Sequence, residues 1–268
     1  MTAHASTFTT GDGYRIAYRL DGPEDRPVLV LSNSIGTTMH MWDGEIAALA
    51  ESHRVLRYDT RGHGGSDAPP GAYSFDRMGR DVIELMDALK IERAHFLGLS
   101  FGGFIGQWMA VHAPERIDRL VLANTSSYLG PSPPWDERIN SVLGAKDMSD
   151  TAATFLKNWF PPDMLERDDA IVAPFRATLL AMSPQGLAGS FAAVRDGDMR
   201  RTITLITAPT LVIVGERDQV TLPSHGERIA ASIRGAKLVS LLAVHMSNVE
   251  CRPAFLEAVL TFLAARSG

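Results

Sequence analysis

Short apolar runs of the kind buried on both faces of a sheet recur along this chain, and they constrain its architecture more than any other feature. Val28-Leu29-Val30-Leu31 is one such run, suited to a strand of a parallel sheet. Further buried strands are expected at residues 55–58, 94–97, 120–123, 211–214 and 238–242. Helical patterns fall between them, at residues 43–50, 75–89, 103–112, 226–233 and 253–265. Strand and helix alternate, which predicts an α/β fold: a mostly parallel sheet with helices on both faces. Residues 8–10 and 14–20, separated by Gly11-Asp12-Gly13, predict an antiparallel hairpin at the start.

One stretch breaks the alternation. Residues 128–204 contain no buried-strand run, but helix-like segments at 135–143, 151–160, 170–181 and 184–195, punctuated by Pro131, Pro133, Pro134, Pro161 and Pro162. An all-helical insertion between two strands reads as a cap over the strand ends, where such sheets bind ligands. The expected organisation is a core domain of residues 1–127 and 205–268 with a cap of residues 128–204 inserted in it, within the reach of 268 residues.

A net charge of -5 argues against nucleic acid or an anionic membrane as the main partner, and leaves room for a small anionic substrate bound in a local cationic pocket. The single cysteine, Cys251, excludes an internal disulfide and a multi-cysteine metal site; beside Arg252 and Pro253 it reads as a structural residue at a helix start. Residues 1–20 lack the apolar core of a signal peptide, and no apolar run approaches the roughly 18 residues of a membrane helix. A cytoplasmic location is expected. No metal-ligand spacing or phosphate-cradling loop is present, so neither metal nor cofactor is implied. Oligomeric state, a homo-oligomer included, is not legible.

The pentapeptide Gly98-Leu99-Ser100-Phe101-Gly102 sits between an apolar strand and a helix. A strand followed at once by a helix forces the residue between them into a strained turn, so that the Ser100 side chain projects from the sheet edge as a nucleophile. A serine hydroxyl needs a base to take its proton and a third group to hold that base in one tautomer. In strand-turn-helix serine enzymes these follow in the order serine, acid, histidine. Asp218, just beyond the strand at 211–214, is the expected acid, with Glu216 as its rival; His245, after one more helix and strand, is the expected base. His112, His225 and His95 read as packed or solvated side chains, and Asn124 cannot supply a negative charge. Backbone donors for a developing oxyanion are expected from the amide of Phe101 and from the loop after the first buried strand, at Ile35 with Ser34 the alternative. The Ile35 side chain would then line the acyl pocket.

Together, the elbow, Asp218, His245 and Asp59-Thr60-Arg61-Gly62-His63-Gly64-Gly65-Ser66 resemble the α/β-hydrolase superfamily over nearly the whole chain. Within it, Leu31-Ser32-Asn33-Ser34-Ile35-Gly36-Thr37-Thr38 with Met41-Trp42-Asp43 is similar to the 3-oxoadipate enol-lactonase family, since most relatives carry His-Gly where this chain has Asn33-Ser34. The resemblance leaves open whether the Asn33 or Ser34 side chain adds a donor near the oxyanion, and it implies a scaffolding role for residues 59–66. It also implies a small unsaturated lactone bearing a carboxymethyl group, opened through an acyl-enzyme in the beta-ketoadipate branch of aromatic breakdown. The substrate carboxylate calls for an arginine. The cap offers Arg138, Arg176 and Arg195; Arg138, sharing a helical face with Trp135, is the choice. Trp135, Trp159 and Met182 are either pocket lining or cap core.

Fold and triad do not fix the substrate. The competing expectation is a broad carboxylesterase or carbon-carbon bond hydrolase with the same triad, and a perhydrolase side activity suits the same architecture. A non-catalytic binder is a remote alternative given an intact serine, aspartate and histidine. Dehalogenase and epoxide hydrolase chemistry would need a carboxylate where this chain has Ser100.

Overall fold

A computed structural model of the chain describes residues 5–167 and 169–265. Its strands are β1 (Ser6–Thr9), β2 (Arg15–Asp21), β3 (Val28–Ser32), β4 (Arg54–Tyr58), β5 (Ala94–Leu99), β6 (Ile117–Ala123), β7 (Thr210–Gly215) and β8 (Lys237–Leu241). They form one eight-stranded sheet in the order β1-β2-β4-β3-β5-β6-β7-β8. β2 pairs antiparallel with β1 and β4, and every other pair is parallel.

Alternation along the central strands feeds two cores. Val30, Phe96, Leu120, Leu122, Val212 and Val214 pack on one face, against α2 (Phe75–Ala88), α3 (Phe101–His112) and α9 (Pro223–Ser232). Leu29, Leu31, Leu97, Val121, Ala123, Leu211 and Ile213 pack on the other, against α1 (Ile46–Leu49) and α11 (Arg252–Ala264). Burying one such side chain contributes roughly 1.5–3 kcal/mol. The strand ends that carry the site are therefore held by a doubly covered sheet.

Two elements differ from expectation. Residues 43–50 hold only the four-residue α1, preceded by a 3-10 turn at Met39–Trp42. Gly44 lies between them, where a Cβ would collide with the Arg252 guanidinium, and glycine propagates helix poorly. β8 is not a buried strand: it is the last in the sheet order, has one neighbour, and leaves Leu238 exposed.

The segment between β6 and β7 carries α4 (Pro133–Gly144), α5 (Ser149–Trp159), α6 (Pro162–Arg167), α7 (Asp169–Leu180) and α8 (Pro184–Asp196). Sequence reading missed α6, because a Pro-Pro pair reads as a break; Pro162 instead occupies the first helical position, where its missing N–H goes unused. The Gly189 carbonyl of α8 accepts from Tyr73 N at 3.0 Å, tying this segment to the loop before α2. Val142, Met148, Met182, Leu187, Ala188 and Phe191 form a third apolar cluster, bordered by Ile35 and Trp135.

Candidate active site

β5 and α3 meet at Ser100, whose φ of 55° and ψ of -111° place it in a strained backbone region. Such a residue costs of order 1–3 kcal/mol and persists only where its surroundings over-determine it. Here Ser100 N donates to Ala123 O at 2.9 Å, and the Ser100 carbonyl accepts from Thr125 Oγ1 at 2.6 Å. The flanking glycines let the turn close: a Cβ on Gly98 would strike the Gly102 carbonyl, and one on Gly102 the Ser32 carbonyl.

The turn after β7 supplies Asp218, fully buried. Its Oδ1 accepts from Val220 N at 2.8 Å and Thr221 N at 3.0 Å. Its Oδ2 accepts from Thr221 Oγ1 at 2.8 Å, Asn124 Nδ2 at 3.0 Å and His245 Nδ1 at 2.8 Å. Burial by itself would raise the Asp218 pKa, but the His245 ring and the Asn124 and Thr221 hydrogen bonds outweigh it and hold the carboxyl below its usual range. An ionised Asp218 fixes His245 with its proton on Nδ1, leaving Nε2 as the basic nitrogen. Glu216 faces solvent and accepts from Ser240 Oγ. Of the rival histidines, His112 contacts Trp108 O through Nδ1 and stacks on the Trp108 ring, His95 lies beside Asp118 and His53, and His225 keeps a buried Nδ1 with no hydrogen-bond partner among the described residues.

Ser100 and His245 line one cavity of about 230 Å³, together with Ile35, Trp135, Arg138 and Trp159. Three successive amides of the loop after β3 differ in their partners. Ser34 N donates to Met41 Sδ at 3.3 Å and Gly36 N to His63 Nε2 at 2.9 Å, whereas neither Ile35 N nor Phe101 N meets a protein acceptor among the described residues. Ser34 is buried and is not among the lining residues; its amide, the alternative donor, is committed to sulfur. Asn33 is fully used in the scaffold, donating to Tyr58 O at 2.7 Å and accepting from Trp42 Nε1 at 2.9 Å.

On α4 the Arg138 guanidinium lies 4.5 Å from the Trp135 ring centroid, a cation-π contact, and among the described residues Arg138 is the only lysine or arginine that lines the cavity. Arg195 is instead paired with Asp136 and Asp196, and Arg176 does not reach the cavity. Met182 belongs to the third apolar cluster. Residues 59–66 brace the loop after β3: Asp59 accepts from Met39 N at 2.6 Å and Gly65 N at 2.8 Å, and Arg61 pairs with buried Asp81.

Sequence reading missed Asn124 as a partner of the acid. Its φ of 43° at the end of β6 suits asparagine, and its amide also donates to Val244 O at 3.1 Å while accepting from Ser247 Oγ. Thr221 carried a usable signal, since an aspartate often caps the backbone two or three residues on. Cys251 is the N-cap position of α11, with its thiol pKa raised by burial. Among the described residues, no group of three or more histidine, cysteine or acidic side chains is placed to hold a metal ion, and no helix is long and apolar enough to cross a membrane.

A serine on a strained turn, a histidine oriented by a buried carboxylate and two unengaged amides form an arrangement suited to acyl transfer. The chain belongs to the α/β-hydrolase fold family, whose model matches residues 27–250, and it is a hydrolase. Within that family it falls with the 3-oxoadipate enol-lactonases: it is 39% identical to 3-oxoadipate enol-lactonase 2 of Acinetobacter baylyi over 258 residues, 96% of each chain. The crystal structure of the enol-lactonase from Burkholderia xenovorans LB400 matches with a TM-score of 0.94 and 38% identity, covering 97% of this chain and 100% of that one. That of a hydrolase from Pseudomonas aeruginosa PA01 matches with a TM-score of 0.97 and 61% identity, covering 99% and 100%.

Proposed function

We propose that this hydrolase opens 3-oxoadipate enol-lactone to 3-oxoadipate, in the beta-ketoadipate branch of aromatic breakdown. The observation that supports the reading is the cavity itself: Ser100 and His245 line it together with Arg138, the one arginine or lysine among its described lining residues, stacked on Trp135. An ester-opening apparatus and a carboxylate partner in one small space match a lactone bearing a carboxymethyl group.

In this mechanism Ser100 Oγ attacks the lactone carbonyl carbon as His245 Nε2 takes its proton. The oxyanion is stabilised by Phe101 N–H and Ile35 N–H, donors of a kind worth roughly 3 to 4 kcal/mol each in the transition state. Collapse breaks the ring C–O bond and releases an enolate, which takes the proton held on His245 Nε2, returning that ring to its neutral form, and becomes the ketone. This leaving group is far less basic than an alkoxide, so ring opening demands little acid assistance. His245 then deprotonates a water that attacks the acyl-Ser100 ester, and the second carboxylate is released as Ser100 recovers its proton. Arg138 pairs with the carboxymethyl group throughout.

The test compares kcat/KM on freshly generated enol-lactone with that on a neutral aryl ester and on a ring-cleavage diketone. A clear preference for the lactone is expected; a preference for either competitor overturns the substrate assignment and leaves the triad untouched.

A further inference from the structure

Two hydrogen bonds bracket the Ile35 amide, and one of them comes from a segment with no part in the chemistry above. Ser34 N–H donates to Met41 Sδ at 3.3 Å on one side, and Gly36 N–H donates to His63 Nε2 at 2.9 Å on the other. The peptide groups before and after the Ser34–Ile35 peptide are thus both tied down. A backbone donor stabilises developing charge only while its direction is held, within roughly 10–20° for a preorganised site.

His63 is well suited to hold it. The ring is buried, and its other edge is engaged, with Nδ1–H donating to Arg61 O at 3.2 Å. Burial pushes its pKa down to about 4, so the ring is neutral and Nε2 carries a lone pair. Arg61 is itself locked by Asp81, with two contacts of 2.7 Å. Gly36, at a φ of 79°, occupies a region open to glycine, and a Cβ there would press on Leu179 and Trp159. The acceptor and the peptide that it holds are both rigidly placed.

We propose that His63 is a positioning residue of the oxyanion site: its Nε2 lone pair fixes the Ile35–Gly36 peptide so that Ile35 N–H points at the carbonyl attacked by Ser100. The inference rests on the assignment of Ile35 as an oxyanion donor and adds to it the group that aims that donor. His63 does not line the cavity, so its effect would pass through the loop.

Glutamine can bring an amide oxygen to the place of Nε2, whereas asparagine is one methylene shorter and stops near Nδ1. His63→Gln is therefore expected to keep kcat within about threefold of the parent, and His63→Asn to lose roughly 10- to 100-fold in kcat with KM within about twofold. Phenylboronic acid, which forms a tetrahedral adduct on an activated serine, should bind more weakly to His63→Asn by about the factor lost in kcat/KM. Equal kcat values for the two variants, or a loss carried by KM alone, overturn the inference. Should His63→Asn fail to fold, the decision passes to His63→Gln: a loss of more than about tenfold in that folded variant overturns it, and retained kcat supports it. A separate arm follows the Ile35 amide proton of the parent by NMR as the boronate adduct forms. A downfield shift is expected, and an unmoved resonance overturns the assignment of Ile35 as donor, and the inference with it.

Discussion

Asp218 Oδ2 lies 2.8 Å from His245 Nδ1, and the same oxygen also accepts hydrogen bonds from Asn124 and Thr221. The carboxylate is therefore fixed by groups from two segments, the end of β6 and its own turn after β7, before it orients the histidine. An anion held in this way stays ionised although buried, because each donor favours the charged form. Asp218→Asn replaces that acceptor with an amide that favours the wrong imidazole tautomer, and kcat is expected to fall by roughly 10⁴-fold. Glu216→Gln, on the solvent side of the same turn, is expected to leave steady-state kinetics unchanged.

Ser100→Ala and His245→Ala should each abolish turnover by several orders of magnitude, and the double variant should be scarcely worse than either. Groups that act as one unit lose their contribution together; a rate above about a tenth of the parent in either single variant would remove the assignment.

Asn124→Ala removes one donor from Asp218 and leaves the Ser247 hydroxyl without its acceptor. A hydrogen bond to a charged group contributes roughly 1.5–3 kcal/mol, so kcat/KM is expected to fall by about tenfold or more. Urea unfolding should show lower stability at neutral pH. Since donation to the ionised carboxylate lowers its pKa in the folded chain, removing that donor narrows the gap to the unfolded value, so the stability this carboxyl loses as pH falls below its unfolded pKa should be smaller in the variant than in the parent.

Arg138→Gln should raise KM for the carboxylate-bearing lactone by roughly tenfold while leaving KM for a neutral aryl ester within about twofold. Equal effects on both substrates would show that the residue shapes the cavity wall rather than binding charge.

His95 sits at the far end of β5 from Ser100, and burial pushes its pKa down from 6.5 to about 4. In the unfolded chain it binds a proton as pH falls below 6.5, while the folded chain resists until about 4. The unfolded state holds more protons across that window, so stability falls as pH drops through it. Urea midpoints for the parent should therefore decline between pH 7.5 and pH 5. The decline should be smaller in His95→Gln if this ring contributes as described.

The central strands were legible because a strand covered on both faces tolerates few polar residues, as at Val30, Phe96 and Leu122. β8 misled because an edge strand can carry the same apolar letters with one face open, and Leu238 is exposed. The missed residues share a physical cause. Asn124 meets Asp218 across 94 residues and Ser247 across 123, and such pairings impose no periodicity on the letters between them. His63 stood in a segment readable as scaffold, but its contact with Gly36 depends on how two loops cross above β3 and β4.

By itself, the order of residues determined the strand-turn-helix at Ser100, because only glycines allow the close backbone approaches around Gly98 and Gly102. It also determined that an acid and a histidine follow at later strand ends, since those positions lie directly after β7 and β8. Only the tertiary structure decided between near neighbours: Asp218 rather than Glu216 reaches His245, Ile35 rather than Ser34 keeps a free amide, and Arg138 rather than Arg195 faces the cavity. Each of these choices turns on a few ångströms between elements far apart in the chain. Such distances are set by packing the sheet, its loops and the helices between β6 and β7, and no local pattern encodes them.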